Sequence, residues 1–269
     1  MRFAFTKMHG LGNDFVVLDT RETDMPALSA QTARAIADRR TGIGCDQVIV
    51  LEKDDAATVR MRIFNADGGE VEACGNATRA IGLLLGKDAT IATAGGTLSV
   101  SPGDGGIAVD MGRPRFDWEA IPLAYAMDTA AMPVGWDMLE QPLAVNVGNP
   151  HVVFFVEDSD AVPLETLGPL IENDPLFPNR INVNVATVVD RTTLRLRVWE
   201  RGAGLTRACG TGACATAVAA MRRGLVEPEV TVHLPGGPLT IAWREGEPIT
   251  MTGPAAEAFR GSFEWDDYA

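Results

Sequence analysis

Ala73-Cys74-Gly75-Asn76-Ala77 and Ala208-Cys209-Gly210-Thr211-Gly212 stand 135 residues apart, and their likeness organises the rest of the chain. Working outward from them, Gly12-Asn13-Asp14-Phe15-Val16-Val17 matches Gly148-Asn149-Pro150-His151-Val152-Val153 at an offset of 136. Gln47 before Val48-Ile49-Val50 matches Asn182 before Val183, again 135 apart. Asn65, after the alternating run Val59–Phe64, falls opposite Glu200, after Leu194–Trp199. Alternation of apolar and polar residues at period two marks both runs as half-buried strands. Four landmarks in one order at nearly one offset predict two related halves.

The halves are placed at 1–118 and 119–251, with residues 252–269 packing back on the first. The stretch 118–140, with Pro122, Pro133 and Gly135 among few periodic apolar residues, reads as a crossing segment. Within each half, short strands divided by Gly and Pro turns accompany one or two helices. Ser29 is expected to cap a helix through Asp38, and the Cys-Gly motifs to open apolar, Ala-rich helices from Cys74 to about Leu85 and from Cys209 to about Arg223. Strands without regular crossover helices argue for an α+β arrangement rather than a doubly wound sheet.

Bulk properties narrow the function. A length of 269 residues fits roughly two domains, and 46% hydrophobic with 22% charged residues is ordinary globular usage. A net charge of −13 without clustered Lys or Arg opposes a phosphate backbone, so no nucleic-acid partner is expected. Lys7 interrupts any N-terminal apolar run and no later stretch reaches about 18 apolar residues, so we expect a cytoplasmic protein with no membrane segment. Cysteines 45, 74, 209 and 214 form neither a CxxC pair nor a zinc-ribbon spacing, which argues for thiols rather than disulfides or a metal site.

A cysteine at the first turn of a helix sits among unpaired backbone N–H groups and the positive end of the helix dipole, which favours its thiolate. The same N–H groups bind carboxylates. If the halves are related by a pseudo-twofold axis, both helix starts face one cleft, and two thiols flank one carbon beside a bound carboxylate. One thiolate and one thiol are what a two-base racemase or epimerase needs. A lone buried cysteine is more often an inert small hydrophobe. The duplication changes that weighing for Cys74 and Cys209, but not for Cys45 and Cys214, whose equivalents are Arg180 and Arg79.

At these residues the chain resembles the diaminopimelate epimerases. The resemblance is carried by Lys7–Phe15, Gly44-Cys45-Asp46-Gln47, Phe64–Gly68, Cys74-Gly75-Asn76, Gly148–His151, Glu200–Gly204, Ala208–Gly212 and Met251–Pro254. It implies two pseudo-symmetric strand-rich domains, each a barrel-like sheet around a central helix, with the active site in the cleft between them. It implies reversible conversion of LL- to meso-diaminopimelate, in lysine and cell-wall biosynthesis, by a homodimeric enzyme using neither cofactor nor metal. By similarity, Cys74 and Cys209 are the acid/base pair. Asn13, Gln47, Asn65, Asn149, Asn182, Glu200 and Arg201 bind substrate, and Gly75-Asn76 and Gly210-Thr211 supply helix-start amides. His151 and Glu200 adjust the cysteine pKa values. These types suit a substrate with two ammonium and two carboxylate groups: amides give and accept, Glu200 receives an ammonium and Arg201 forks onto a carboxylate. Leu205 departs from the glutamate common at its position, and Arg207 and Thr78-Arg79 also differ from the most frequent residues around the cysteines.

Taken singly, Asn13 and Asn149 beside Gly read as turn formers and His151 as a satisfied core histidine. Asp14, Asp46, Asp67 and Glu70 read as capping or backbone-bonding residues. A proline-type racemase is a rival, as is a phenazine-pathway-type isomerase, whose relatives lack the cysteine pair. A dinucleotide enzyme is weaker, because Gly210–Ala215 fits GxGxxA but lies ten residues beyond its strand. A thiol–disulfide redox protein or an amino-acid-binding module are the remaining alternatives.

Overall fold

The computed structural model describes residues 1–269 except Ala73, so that residue of the first repeated motif lies outside the described residues. Contacts group the chain into two units, Met1–Val109 with Gly253–Ala269, and Asp110–Thr252.

The first unit begins with β1 (Arg2–Gly10), β2 (Asn13–Asp19), α1 (Ala30–Ala37), β3 (Gln47–Glu52), β4 (Val59–Asn65) and β5 (Glu70–Val71). It continues with α2 (Gly75–Leu85), β6 (Ala89–Thr93), β7 (Gly96–Gly103) and β8 (Gly106–Asp110). The sheet runs β1-β2-β3-β4-β6-β7-β8, with β2–β3 and β4–β6 parallel and the other pairs antiparallel. The short β5 lies on β4.

The second unit repeats this order. Its strands are β9 (Gly135–Trp136), β10 (Leu139–Glu140), β11 (Leu143–Asn146) and β12 (Pro150–Phe155), then α3 (Leu164–Glu172), β13 (Asn182–Asp190), β14 (Thr193–Glu200) and β15 (Gly204–Thr206). After α4 (Gly210–Arg222) come β16 (Glu229–Leu234), β17 (Gly237–Ala242) and β18 (Thr250–Gly253). The sheet runs β11-β12-β13-β14-β16-β17-β18, again with its second and fourth pairings parallel. The registers coincide as well: Phe15 pairs with Gln47 and His151 with Asn182, while Val48 pairs with Phe64 and Val183 with Trp199. The duplication read from four landmarks therefore extends to individual residue pairs. The fold is a mixed, sheet-rich α+β arrangement of two repeated domains.

Why the sheets curl follows from the helices. Ala213 to Ala220 of α4 are buried without a break, so this helix has no solvent face and must be enclosed. It packs against β11, β12, β13, β14, β16 and β17. In the first unit α2 packs against β1, β6, β7 and β19 (Ala256–Glu264), the strand that returns from the end of the chain to pair with β1. Small residues let the strands approach. A Cβ placed on Gly82 of α2 would lie 2.6 Å from Ile107 Cγ2 and 3.3 Å from Val100 Cβ, so no other residue fits without displacement. Gly86 ends α2 in the left-handed conformation (φ 64°), where the lack of a Cβ removes the steric cost.

Ser29 caps α1 by accepting from Thr32 N, as its position predicts. The 118–140 stretch contributes to a core: Ile121, Leu123, Met132 and Leu139 are buried in the second unit beside Phe154 and Ile171. Residues 110–118 also group with that unit, since Met111 N donates to Ile249 O and Arg115 bridges to Asn146. Among the described residues, no helix is long and apolar enough to cross a membrane. Substituting Gly82→Ala is expected to destabilise the folded protein by about 1–3 kcal/mol through overpacking, read from the midpoint of urea unfolding.

Candidate active site

In both units the repeated cysteine is the N-cap of the central helix: Cys74 precedes α2 and Cys209 precedes α4, each in extended conformation. Gly75-Asn76 and Gly210-Thr211 therefore form the first turns, where N–H groups lack intrahelical acceptors.

In the first unit, Asn13 at the start of β2 reaches the helix start. Its Oδ1 accepts from Asn76 Nδ2 at 3.2 Å and from the Cys74 thiol at 3.8 Å. Its Nδ2 donates to Asp46 Oδ2 at 2.9 Å. Asp46 also accepts from Asp14 N and from Arg39, which is shared with Asp14. Lys7 is buried against Asp14 and the Gly44 carbonyl. These partners hold the Asp14 carboxyl down at about 2: burial opposes, but the Arg39 and Lys7 hydrogen bonds and charges prevail. Gln47 and Asn65, paired across β3 and β4, join through Gln47 Nε2 donating to Asn65 Oδ1 at 2.9 Å, which leaves Gln47 Oε1 a buried acceptor with no protein donor.

In the second unit, Cys209 is buried. Its Sγ accepts from Gly212 N at 3.3 Å and lies 3.6 Å from Thr211 Oγ1. Glu200, at the end of β14, accepts from Thr206 Oγ1 at 2.5 Å and from the Cys209 thiol. Burial, then the charge of Glu200, pushes the Cys209 thiol well above its ordinary range, against the Thr211 hydroxyl and the Gly212 N–H. The helix start alone favours a thiolate; here desolvation and a neighbouring carboxylate outweigh it, so Cys209 rests as a thiol donating to Glu200. Burial raises the Glu200 carboxyl too, against hydrogen bonds from Thr206 and Cys209.

His151 is fully buried and both ring nitrogens are occupied, Nε2 by Asn149 Oδ1 at 2.9 Å and Nδ1 by Asn184 Nδ2 at 3.0 Å. Asn184 Nδ2 donates to the Val152 carbonyl as well, which fixes its amide sense. His151 Nδ1 is therefore the acceptor and Nε2–H the donor. Burial lowers its pKa to about 3, with Arg201 adding to the effect and Asn184 opposing it. Asn182 braces the backbone, donating to Pro150 O and accepting from Arg201 N. The Arg201 guanidinium is exposed and donates to Asn179 O.

Four residues that the sequence reading did not assign to the site hold these groups in place. Asp46 and Arg79 flank Asn13 and Asn76, and Asn184 fixes His151. Glu172, buried on α3, accepts from Trp199 Nε1, Gly202 N and Arg180, and so anchors the turn that carries Glu200 and Arg201. Among them, Asp46 lay in the Gly44-Cys45-Asp46-Gln47 segment that carries the family resemblance but read as a backbone-bonding residue, and Arg79 stood out only as a departure from the family's usual residues; Asn184 and Glu172 carried no signal. Cys45 and Cys214 are both buried, and burial lifts the Cys45 thiol to about 11.

Comparison with known proteins accords with this geometry. The family model described as diaminopimelate epimerase matches residues 5–116 and 143–257. A diaminopimelate epimerase of Erythrobacter litoralis (strain HTCC2594) is 68% identical over 269 residues, covering 100% of both chains. One from Zymomonas mobilis subsp. mobilis is 54% identical over 270 residues, again covering 100% of both. Among solved structures, a phenazine biosynthesis protein of the PhzF family from Enterococcus faecalis aligns with TM-score 0.72 at 15% identity, over 98% of this chain and 100% of that one. A hydroxyproline epimerase from Agrobacterium vitis aligns with TM-score 0.67 at 15% identity, over 97% and 91%. These two share the fold.

The His151 arrangement has a measurable signature. Nitrogen-15 NMR is expected to show a neutral Nε2–H imidazole down to about pH 4, since its pKa lies at about 3. The unfolded chain takes up this proton near the ordinary 6.5, so stability conferred by the neutral ring is present above that value and is lost as pH falls toward about 3.

Proposed function

The chain belongs to the diaminopimelate epimerase family, and we propose that it interconverts LL- and meso-diaminopimelate by proton transfer through Cys74 and Cys209. The observation that carries this reading is the placing of equivalent cysteines at the N-caps of equivalent helices, one of them hydrogen-bonded to a buried carboxylate.

The substrate α-carboxylate is received by first-turn N–H groups of the helices, where positive partial charge also stabilises the carbanion as its charge spreads into that carboxylate. A cysteine thiolate takes the α-proton and becomes a thiol. The other thiol gives its proton to the opposite face and becomes a thiolate, so the two exchange roles with each inversion. Raised thiol pKa has a use here, since a thiolate generated in a dry site is a stronger base than one in water. Glu200 accepts the Cys209 proton or the substrate ammonium. Gln47 Oε1 offers a buried acceptor, Asn65 and Asn149 offer amide groups, and Arg201 offers a guanidinium to the far end of the molecule.

No pyridoxal phosphate is required in this scheme. Of the three lysines, Lys7 is held by Asp14 and the Gly44 carbonyl, and Lys53 and Lys87 are exposed. Independence from metals, a cytoplasmic location and a homodimeric state complete the reading, which rests for these on the family resemblance.

Turnover of LL-diaminopimelate in heavy water, followed by mass spectrometry and chiral chromatography, tests substrate and mechanism together. Deuterium is expected at one stereocentre and in the inverted product before the recovered substrate, with no exchange of proline. Cys74→Ala and Cys209→Ala each lower turnover by roughly 10²–10⁴-fold or more, whereas Cys45→Ala and Cys214→Ala largely keep it. Exchange of proline alone would refute the substrate, and near-normal turnover by either of the first two variants would refute the two-base scheme.

A further inference from the structure

The first unit holds a chain of hydrogen bonds with a defined direction. Arg79 Nη2 donates to Asn76 Oδ1 at 2.8 Å, Asn76 Nδ2 donates to Asn13 Oδ1 at 3.2 Å, and Asn13 Nδ2 donates to Asp46 Oδ2 at 2.9 Å. A guanidinium can only donate and an ionised carboxylate can only accept. Charged groups at the two ends therefore leave each intervening amide a single orientation. We propose that Arg79 and Asp46 are positioning residues that lock the amide sense of Asn13, so that its carbonyl oxygen, and not its N–H, faces the Cys74 sulfur. The proposal rests on Cys74 being one of the two acid/base thiols.

The surroundings are shaped to keep both ends in place. Arg79 is fully buried and also donates to the Pro254 carbonyl, and a Cβ on Gly10 would come within 3.3 Å of its Nη2, so β1 leaves room for the guanidinium. Asp46 is held from behind by Arg39 at 2.7 Å and by Asp14 N at 3.1 Å. The charged groups of this unit that surround the chain of bonds are Lys7 on β1, Asp14 on β2, Arg39 and Asp46 in the loop after α1, and Arg79 on α2.

The consequence is chemical. A carbonyl oxygen beside sulfur accepts an S–H proton and repels a thiolate, whereas an N–H in the same place would stabilise the thiolate. The locked amide thus holds Cys74 toward its protonated form against the pull of the helix start. The second unit uses a different device at the equivalent asparagine: His151 Nε2–H takes Asn149 Oδ1, turning that amide the other way, with N–H as the group left to offer.

The test is the pH dependence of Cys74 alkylation by iodoacetamide in the full-length protein, read by mass spectrometry on the peptide carrying Cys74. It measures ionisation without turnover, so it fails or succeeds independently of the heavy-water experiment. Asp46→Ala removes the acceptor, whereas Asp46→Asn removes the charge but keeps an amide oxygen to accept from Asn13. Arg79→Met removes the donor, whereas Arg79→Gln keeps one. With one tie lost the amide is held from one side only, so the alkylation midpoint is expected to fall, by up to about one pH unit, in Asp46→Ala and in Arg79→Met, and to stay near wild type in Asp46→Asn and Arg79→Gln, where every bond is kept and the remaining charged end still sets its direction. Charge acting without the amide predicts otherwise: both Asp46 variants would fall equally and both Arg79 variants would rise. That pattern, or no movement in Asp46→Ala, overturns the proposal. Should Arg79→Met fail to fold, the Asp46 pair alone decides between the two.

Discussion

Each half is built around one helix that its sheet must cover: α4 has no wet face, and α2 is buried from Asn76 to Gly82. An Ala-rich helix such as α4 gains little from its own propensity in water and is stable only when strands surround it. Enclosure uses up its sides and leaves its N-terminus as the polar end. A cysteine at that cap, with unsatisfied N–H groups beside it, is then placed by the packing of the whole domain rather than by a loop. Writing the domain twice places two thiols at equivalent helix caps, and the matching strand registers show how faithfully the second copy keeps the geometry of the first.

Burial decides the resting chemistry. The dipole of α4 and the Gly212 N–H favour a Cys209 thiolate, yet desolvation and Glu200 oppose them and prevail. A proton is thereby kept where it can be delivered. In the other half the group facing the sulfur is the carbonyl of Asn13, 3.8 Å from Cys74 Sγ.

Much of this was legible in the sequence because duplication converts weak signals into strong ones. Cys74 and Cys209, Gln47 and Asn182, Asn65 and Glu200 each gained meaning from a partner at a fixed offset, and the structure puts the members of each pair at equivalent strand ends or helix caps. What stayed hidden is held by tertiary contacts without periodicity. Arg79 lies within an apolar helix and meets Asn76 one turn back; Glu172 reaches the turn after β14 from α3; Asn184 reads as an ordinary strand residue. The sense of an amide cannot be read from its neighbours in sequence at all, since it depends on which distant group donates. The apolar residues of 118–140 were missed as core for a related reason: their spacing follows the surface they cover and not a helix or strand period.

The two halves also differ in what shields them. Asn149 is set by an uncharged, wholly buried histidine, which dissolved ions do not reach. Asn13 is set through Asp46, whose side chain is 44% exposed beside an Arg39 that is 58% exposed. Coulomb attraction at such a surface is screened over about 10 Å at 0.1 M salt. Ionic strength therefore acts on the group that orients Asn13 and spares the one that orients Asn149, so two halves of one design differ in their sensitivity to dissolved salt.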